Sequence, residues 1–442
     1  MKSFLISGDR SGAGKTTITL ALASLLSKEG SVQTYKTAMD YIDSSYLAGV
    51  TKRSCYNLDS FVQTESESRR ILSLGADADF GVVEGVRGLF EGLDAFSDVG
   101  STASIAKMFD LPVILVINAR SITRSAAAIV NGFRDFDKDV NIAGVILNNT
   151  GHGRHVSKAV DAIEYYCKLP VLGAVPRSEN IELASRHLGL VPFLERSQNG
   201  EFAERISKIS EFVSEHVDLN AVKSIAKNID AVKSEPLTVP QTKTAAIAYD
   251  ESFNFYYGEL ADILKNLGFS PKYFSPIHDD LPDADTYIFG GGYPEMFAEK
   301  LEANDSMRED ILSRAKEGTP IYAECGGLMY LSRSLSVKGT PRKMCGVFEG
   351  DASIPVKKVL GYVVGEAELG GVKYPFKGHE FHYSAVKMDT GAKFAYSLSR
   401  GTGIDSGKDG AVYKNCIGSY THLMPVSSER ILCRILCGSE ID

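Results

Sequence analysis

Residues Thr319 to Leu331, T-P-I-Y-A-E-C-G-G-L-M-Y-L, decide how the second half of the chain folds. A short apolar run ends at Glu324, and Cys325 and two glycines then precede two leucines at helical spacing. This pattern predicts a buried strand that turns sharply into a helix, with a thiol at the corner. The helix N-terminus would favour the thiolate and offer N–H groups to a developing oxyanion. Cys325 is therefore a candidate nucleophile, although a buried, inert cysteine is the commoner case.

Two further stretches supply the partners that a thiol nucleophile needs. The turn in I-F-G-G-G-Y-P-E, Ile288 to Glu295, suits an oxyanion hole and glutamine pocket that would use three glycines, Gly291, Gly292 and Gly326. His422, in G-S-Y-T-H-L, is the candidate base. The order of glycine-rich turn, cysteine and distant histidine resembles a class I glutamine amidotransferase domain. That class often has a carboxylate two residues after the histidine, where this chain has Met424, so the third member of the catalytic group stays open.

Composition and charge narrow the classes of function. The 442 residues suggest roughly two or three domains. A formal net charge of −8 argues against nonspecific nucleic-acid binding. Apolar runs are too short to span a membrane, and the N-terminus is too short for a signal peptide. Because the seven cysteines are scattered and form no CxxC pair, we expect a cytoplasmic protein with neither a disulfide framework nor a zinc site.

The N-terminus predicts a nucleotide site. A strand at Lys2 to Ser7 runs into G-D-R-S-G-A-G-K-T-T, Gly8 to Thr17, and a helix rich in alanine and leucine follows. In this context the loop N–H groups cradle phosphates, Lys15 reaches the β- and γ-phosphates, and Thr16 holds Mg²⁺. Position 9 is Asp9 rather than the glycine of strict Walker A spacing, and the loop resembles the dethiobiotin-synthetase-like branch of P-loop proteins. The predicted ATP-binding residues of the loop are Gly12, Ala13, Gly14, Lys15, Thr16 and Thr17.

Acidic residues follow the next predicted strands. Asp40 and Asp43 lie three apart at the strand end where open α/β sheets bind ligands, although a helix cap would also explain them. Glu84 comes directly after a buried strand, where a P-loop protein places a second Mg²⁺ contact. Glu91 could add an acidic contact or be a plain surface glutamate. Asn148 also follows a strand, where a nucleobase contact would fit and a loop cap is the alternative.

A set of segments resembles the a,c-diamide synthases of tetrapyrrole biosynthesis, the family that acts on cobyrinic acid and on nickel-sirohydrochlorin. They are D-Y-I-D (40–43), N-L-D (57–59), E-G-V-R-G-L-F-E-G (84–92), G-S-T-A (100–103), P-V-I-L-V-I-N (112–118), S-A-A-A (125–128), G-V-I-L-N-N (144–149) and R-H-L-G-L-V-P (186–192). The resemblance implies ATP and Mg²⁺ roles for Lys15, Thr16 and Glu84. It also implies that the carboxylate substrate is bound or activated by three acidic residues, Asp40, Asp43 and Glu91, the last often aspartate in the family.

The resemblance further implies an ATP- and glutamine-dependent ligase that amidates the a and c acetate side chains of a tetrapyrrole polycarboxylate, either nickel-sirohydrochlorin or cobyrinic acid or both. The carboxylate would be activated as an acyl phosphate, and Cys325 would release ammonia from glutamine. One alternative is a cobyric acid synthase-like enzyme that amidates other side chains. Another is a P-loop ATPase fused to a non-catalytic glutaminase-like module. A homodimer is considered as the assembly.

The order of strands and helices predicts the fold class. Strands at 2–7, 32–36, 80–83, 112–118 and 142–147 alternate with helical stretches, which is typical of a parallel sheet with helices on both faces. We expect an α/β protein with a P-loop amidoligase domain at 1–195, a helix (201–216) and linker within 196–243, and an α/β amidotransferase domain at 244–442. The segment G-H-E-F-H-Y-S, 378–384, suggests a metal site at first sight. Its residues 379 and 382 would lie on opposite faces of a strand, so we expect a structural or substrate-lining strand.

Overall fold

The sheet of the first unit is parallel throughout its main part, as predicted. A computed structural model describes residues 1–151, 153–178, 185–186, 189–190, 201–229 and 239–438. Its strands in the first unit are β1 (Lys2–Gly8), β2 (Val32–Thr37), β3 (Tyr56–Leu58), β4 (Phe80–Glu84), β5 (Val113–Asn118), β6 (Ile142–Thr150), β7 (Val171–Pro176), β8 (Ser185–Arg186), β9 (Gly189–Leu190) and β10 (Lys227–Asn228). The order β3-β2-β4-β1-β5-β6-β7 places β1, which carries the glycine loop, between β4 and β5.

Helices cover this sheet because its strands are apolar on both faces. They are α1 (Lys15–Leu26), α2 (Ile42–Thr51), α3 (Glu65–Leu74), α4 (Thr102–Met108), α5 (Ser125–Phe136), α6 (Arg154–Cys167), α7 (Glu201–Ser214) and α8 (Leu219–Ile225). The helix predicted at 201–216 is confirmed as α7. Its Ile209 and Val213 are fully buried in the same cluster as Leu22 and Leu26 of α1, so α7 packs within the first unit.

The second unit contains a mixed sheet and further strands that lie outside that sheet. Its strands are β11 (Lys243–Ala248), β12 (Phe253–Phe255), β13 (Phe269–Phe274), β14 (Thr286–Phe289), β15 (Gly291–Gly292), β16 (Ile321–Glu324), β17 (Ser332–Val337), β18 (Thr340–Lys343), β19 (Phe348–Ile354), β20 (Val359–Leu369), β21 (Val372–His382), β22 (Ala385–Met388), β23 (Lys393–Arg400), β24 (Lys408–Tyr413), β25 (Cys416–Ser419) and β26 (His422–Leu423). Its helices are α9 (Leu260–Asn266), α10 (Ala298–Ala303), α11 (Asp305–Glu317), α12 (Gly326–Leu331) and α13 (Glu429–Leu436).

The parallel and antiparallel parts of this sheet meet at β25, the strand next to β16. The order is β13-β11-β14-β16-β25-β24-β23-β20-β21-β26, parallel from β13 to β25 and antiparallel beyond it. Strand β20 alternates between exposed and buried residues near its end, as expected for an antiparallel strand with one face in water. The sequence analysis predicted the α/β alternation but not this antiparallel extension, which brings β21 and β26 together.

The chain divides into two units, Met1–Glu235 and Pro236–Asp442. This division falls within the predicted linker, much of which, like part of the segment 186–192, lies outside the described residues. The finer bounds of 1–195, 196–243 and 244–442 stay a prediction. No helix among the described residues is long and apolar enough to cross a membrane.

Candidate active sites

The predicted strand-to-helix corner is present, and it holds Cys325 in a strained conformation. Strand β16 ends at Glu324 and helix α12 begins at Gly326, so Cys325 lies between them with φ 48° and ψ −96°. Positive φ is uncommon for a residue with a side chain, and such strain concentrates at functional sites. The N–H of Cys325 donates to the carbonyl oxygen of Ser419 at 2.7 Å, which ties the corner to β25. Cys325 is nearly closed to solvent, with 8% of the residue exposed.

His422 lies beside this thiol, in a buried position. Its Nδ1 is 3.2 Å from Oε2 of Glu324. Burial alone would lower the pKa of His422, but hydrogen bonds to Cys325 and Glu324 and the negative charges of those groups raise it to about 10. The raised pKa favours the imidazolium form of His422, a form that can act as counter-charge when a cysteine reacts as the thiolate. The predicted pairing of Cys325 with His422 is present in the geometry.

Glu324 is the carboxylate that the sequence analysis left unassigned. Its Oε2 contacts His422, while Oε1 accepts hydrogen bonds from the Tyr322 hydroxyl at 2.6 Å and from the N–H of Leu423 at 2.9 Å. The position two residues after the histidine holds Met424, which is fully buried. A carboxylate that closes a buried strand, immediately before the nucleophile, was the signal that could have identified Glu324.

The three predicted glycines surround the same corner. A Cβ atom at Gly291 would lie 2.8 Å from Cε1 of His422, and one at Gly292 would lie 2.0 Å from the carbonyl oxygen of Ser252. A Cβ atom at Gly326 would lie 3.1 Å from the backbone nitrogen of Gly292. Because side chains would collide at these positions, glycine lets the turn, the corner and the imidazole pack together. Their role in an oxyanion hole stays a prediction.

Residues 378–382 of the segment 378–384 form the end of β21, as an extended strand. His382 and Glu380 share one face, with Nε2 and Oε2 3.5 Å apart, and His379 faces the other way, toward His422. Nδ1 of His382 is hydrogen-bonded to the carbonyl oxygen of Ser384 at 2.8 Å. In the described part of the chain, no group of three or more His, Cys, Asp or Glu side chains is arranged to hold a metal ion.

The glycine loop of the first unit leads directly into α1. Gly14 has φ 94°, a left-handed conformation that favours glycine, and a Cβ atom there would lie 2.0 Å from Nδ2 of Asn148. Nδ2 of Asn148 donates to the carbonyl oxygen of Ala13 at 2.9 Å. Asn148 therefore braces the phosphate loop, a contact that the sequence analysis did not anticipate. A nucleobase contact for Asn148 stays a prediction.

Lysines and acidic side chains form a buried cluster beside this loop. Nζ of Lys36 lies 2.7 Å from Oδ2 of Asp43 and 2.9 Å from Oε1 of Glu84. The Thr16 hydroxyl donates to the same Glu84 oxygen at 2.6 Å. Burial disfavours a charged Lys36, but the charges of Asp43 and Glu84 outweigh it and raise the pKa of Lys36 above its usual range. Lys36 was missed by the sequence analysis; a charged residue inside an otherwise buried strand was the available signal.

The remaining predicted residues of this site differ in their surroundings. Oδ1 of Asp40 accepts the N–H of Asp43 at 2.9 Å, and burial followed by the charge of Asp43 raises the pKa of Asp40 to about 7. Lys15 donates to the backbone carbonyl of Arg87, and burial lowers its pKa. Glu91 is exposed and lies against Gly88, in the loop after β4. The roles assigned to these residues, and to Gly12 and Thr17, stay predictions.

Comparisons with known proteins identify the families of the two units. Residues 4–191 match the model of the CobQ/CobB/MinD/ParA nucleotide binding domain, and residues 244–429 match that of the CobB/CobQ-like glutamine amidotransferase domain. Three curated proteins similar to this chain are named cobyrinate a,c-diamide synthase. The protein of Methanosarcina barkeri is 46% identical over 96% of this chain and 93% of its own length. The protein of Methanosarcina acetivorans is 44% identical over 99% of this chain and 94% of its own length. The protein of Methanothermobacter thermautotrophicus is 41% identical over 96% of this chain and 96% of its own length.

Replacing Lys36 by methionine should destabilise the first unit strongly. The Lys36→Met variant leaves the buried Glu84 and the partly exposed Asp43 without their cation. Losing one partner of a buried ion pair typically costs about 3–5 kcal/mol. Urea unfolding followed by circular dichroism measures the loss. The matched control is Lys107→Met, because Lys107 also joins two carboxylates, Asp98 and Asp137, but is half-exposed. We expect the control to lose at most about 1 kcal/mol, and equal losses would contradict the interpretation.

Replacing Glu324 by glutamine should impair glutamine hydrolysis and move its pH dependence. Glu324→Gln keeps the size of the side chain but removes the charge that raises the pKa of His422. The imidazolium should then deprotonate at lower pH, so the alkaline limb of the kcat profile shifts downward. We expect kcat to fall at least about tenfold at neutral pH. Tyr322→Phe is the control, since it removes a donor to Glu324 but keeps the carboxylate; an unchanged profile in Glu324→Gln would count against a role for the charge.

Proposed function

The chain belongs to the cobyrinate a,c-diamide synthase family, and from this membership we propose that it amidates the a and c acetate side chains of a tetrapyrrole with nitrogen from glutamine and energy from ATP. It is a glutamine-hydrolysing carbon–nitrogen ligase with a P-loop nucleotide-binding unit and an amidotransferase unit. The observation that carries the proposal is the buried group of Cys325, His422 and Glu324 in the same chain as the phosphate loop and its Lys36 cluster.

In the glutaminase reaction, the Cys325 thiolate attacks the carboxamide carbon of glutamine. The negative charge that develops on the carboxamide oxygen is stabilised by backbone N–H groups of the turn at Gly291 and of the start of α12. His422 gives its proton to the leaving nitrogen, so ammonia departs and a thioester remains at Cys325. Glu324 stabilises the imidazolium before this transfer and orients the ring. Water then hydrolyses the thioester to glutamate.

In the ligase reaction, ATP transfers its γ-phosphoryl group to a substrate carboxylate. A carboxylate does not exchange oxygen for ammonia at neutral pH, because oxide is a poor leaving group. The acyl phosphate has a good leaving group, and ammonia displaces phosphate to give the amide. Phosphoryl transfer depends on positioning and charge neutralisation, to which Lys15 of the loop contributes, while Lys36 holds Glu84 and Asp43 in place beside it. Asp40 and Asp43 lie within this cluster, and the family resemblance supports a role for them in binding or activating the substrate carboxylate.

The donor atoms near the loop fit Mg²⁺ as the cofactor. Thr16 and Glu84 offer a hydroxyl and a carboxylate, which are the oxygen ligands that this cation prefers. Within the described residues, Oε2 of Glu84 is buried without a hydrogen-bond partner. This carboxylate oxygen is therefore available to coordinate a cation. When bound, Mg²⁺ would neutralise phosphate charge. Thr16 and Glu84 are the residues we propose to hold it, with Asp43 next to them.

The proposed substrate is a tetrapyrrole polycarboxylate, either cobyrinic acid or nickel-sirohydrochlorin. The curated relatives are named for cobyrinate, which favours cobyrinic acid. The segment N-A-R-S-I-T-R-S, 118–125, resembles the nickel-sirohydrochlorin branch of the family, which favours the second substrate. The chemistry at the carboxylate is the same for both, so one site could serve them.

Glutamine-dependent and ammonia-dependent synthesis should separate in a Cys325→Ala variant. The variant loses the nucleophile that releases ammonia, while the phosphate loop and its cluster lie in the other unit. We expect loss of amide formation with glutamine and retention of activity with an added ammonium salt. Amide formation is followed by mass spectrometry of the product. Cys345→Ala is the control, because Cys345 is another buried cysteine of the same unit. Loss of both activities in Cys325→Ala alone would contradict separable sites.

A parallel assay with the two rings identifies the substrate. The wild-type enzyme with ATP, Mg²⁺ and glutamine is incubated with cobyrinic acid or with nickel-sirohydrochlorin. Each amidation lowers the product mass by about one mass unit and removes one carboxylate charge, so two steps are expected on at least one ring. Formation of ADP and glutamate should match amide formation one to one. Failure to amidate either ring, with glutaminase activity intact, would reject the proposed substrate class and favour the alternative amidations.

A further inference from the structure

The imidazole of His422 has a second histidine stacked on its face. The ring centroids of His379 and His422 are 4.8 Å apart and their planes are inclined by 23°. The two residues are direct partners in the pairing of β21 with β26. Cross-strand partners project to the same side of a sheet, so the backbone itself sets the two rings side by side. A Cβ atom at Gly378 would lie 2.4 Å from the carbonyl oxygen of His422, so glycine there permits the close approach of the strands.

We propose that His379 is a positioning residue of the glutaminase site, whose ring is the platform that holds His422 in the plane facing both Cys325 and Glu324. This inference rests on the proposed glutaminase activity and adds a residue to which neither the sequence analysis nor the comparisons gave a role. His422 is held on three sides: by Glu324 at Nδ1, by Gly291 at the Cε1 edge and by His379 on its face. The hydrogen bonds of His422 to Glu324 and Cys325 act at the edge of its ring. Because the χ2 torsion of histidine has a broad profile, a contact on the face of the ring limits its rotation further.

The surroundings of His379 keep the platform itself fixed and uncharged. A hydrogen bond of 3.3 Å joins its Nδ1 to the hydroxyl of Tyr257. The ionisable groups around it are this hydroxyl, Tyr362 opposite it on β20, and His422 with its partners Glu324 and Cys325. Burial and the charge of His422 lower the pKa of His379 well below its usual value. A neutral ring against an imidazolium is a favourable arrangement, whereas two charged rings would repel.

Two substitutions at His379 distinguish a platform from a polar role. His379→Ala removes the ring, and we expect kcat for glutamine hydrolysis to fall roughly tenfold with little change in KM, since ring stacking of this kind contributes about that much. His379→Phe keeps an aromatic face and should retain kcat within about threefold of wild type. His278→Ala is the matched control, because His278 is an exposed histidine of the same unit.

A second readout does not depend on substrate. The rate of Cys325 alkylation by iodoacetamide, measured by mass spectrometry of the Cys325 peptide across pH, reports the thiolate that faces His422. We expect the rate at neutral pH to fall in His379→Ala and to be kept in His379→Phe. Tyr257→Phe, which removes only the hydroxyl that holds His379, should show a smaller loss in the same direction, and it provides the test if a His379 variant does not fold.

The outcomes separate this inference from the proposed function. Wild-type kcat and alkylation in His379→Ala would overturn the platform. A His379→Phe variant as impaired as His379→Ala would overturn it too, because the ring nitrogens would then matter rather than the ring face. If the wild-type enzyme does not hydrolyse glutamine, the proposed function fails, while the alkylation series still decides whether His379 orients His422.

Discussion

In both units a buried carboxylate closes a parallel strand and is compensated by a buried cation from the neighbouring part of the sheet. Glu84 ends β4, and Lys36 lies directly opposite it on β2. Glu324 ends β16, and His422 follows β25, the strand paired with β16. An isolated buried carboxylate is strongly unfavourable, so each site depends on its cation being in place. The rest of each site is arranged around this charge pair.

The same pairing fixes the charged groups of both proposed sites in the absence of a ligand. Buried charges lie close together at both strand ends, and burial makes their mutual interactions stronger than they would be in water. Both pKa values rise, for different reasons: the neighbouring carboxylate and thiol raise the pKa of His422 to about 10, whereas burial and the charge of Asp43 raise that of Asp40 to about 7. The imidazole and the carboxyl group therefore each hold a proton more readily than usual. Groups fixed in this way need little reorganisation when charge develops on a substrate.

How much of this could be predicted from the sequence depends on whether the signal is local. The strand, turn and helix at the thiol corner and at the phosphate loop were predicted correctly. Each of these structures is determined by about ten consecutive residues. Glu324 and Lys36 were missed because Glu324 contacts a histidine 98 residues away and Lys36 contacts Glu84, which lies 48 residues away, as well as the nearer Asp43. Only the strand order brings these residues together. The amidotransferase pattern places a carboxylate two residues after the histidine, where this chain has Met424, so the sequence analysis left that partner open. In the structure the neighbouring strand β16 places Glu324 beside His422.

The spacing between Cys325 and His422, the proposed nucleophile and base, is set by backbone pairing rather than by packing of the two side chains. Glu324 pairs with Ser419 in the β16–β25 ladder, and the carbonyl of Ser419 accepts the N–H of Cys325. The buried carboxylate of Asp409 accepts the N–H groups of Tyr420 and Thr421, which fixes the chain between β25 and His422. Both reacting groups are thus anchored to the end of one strand. The positive φ of Cys325 can persist because this ladder holds the residues before and after the turn, and it is this rigidity that keeps the thiol facing the imidazole.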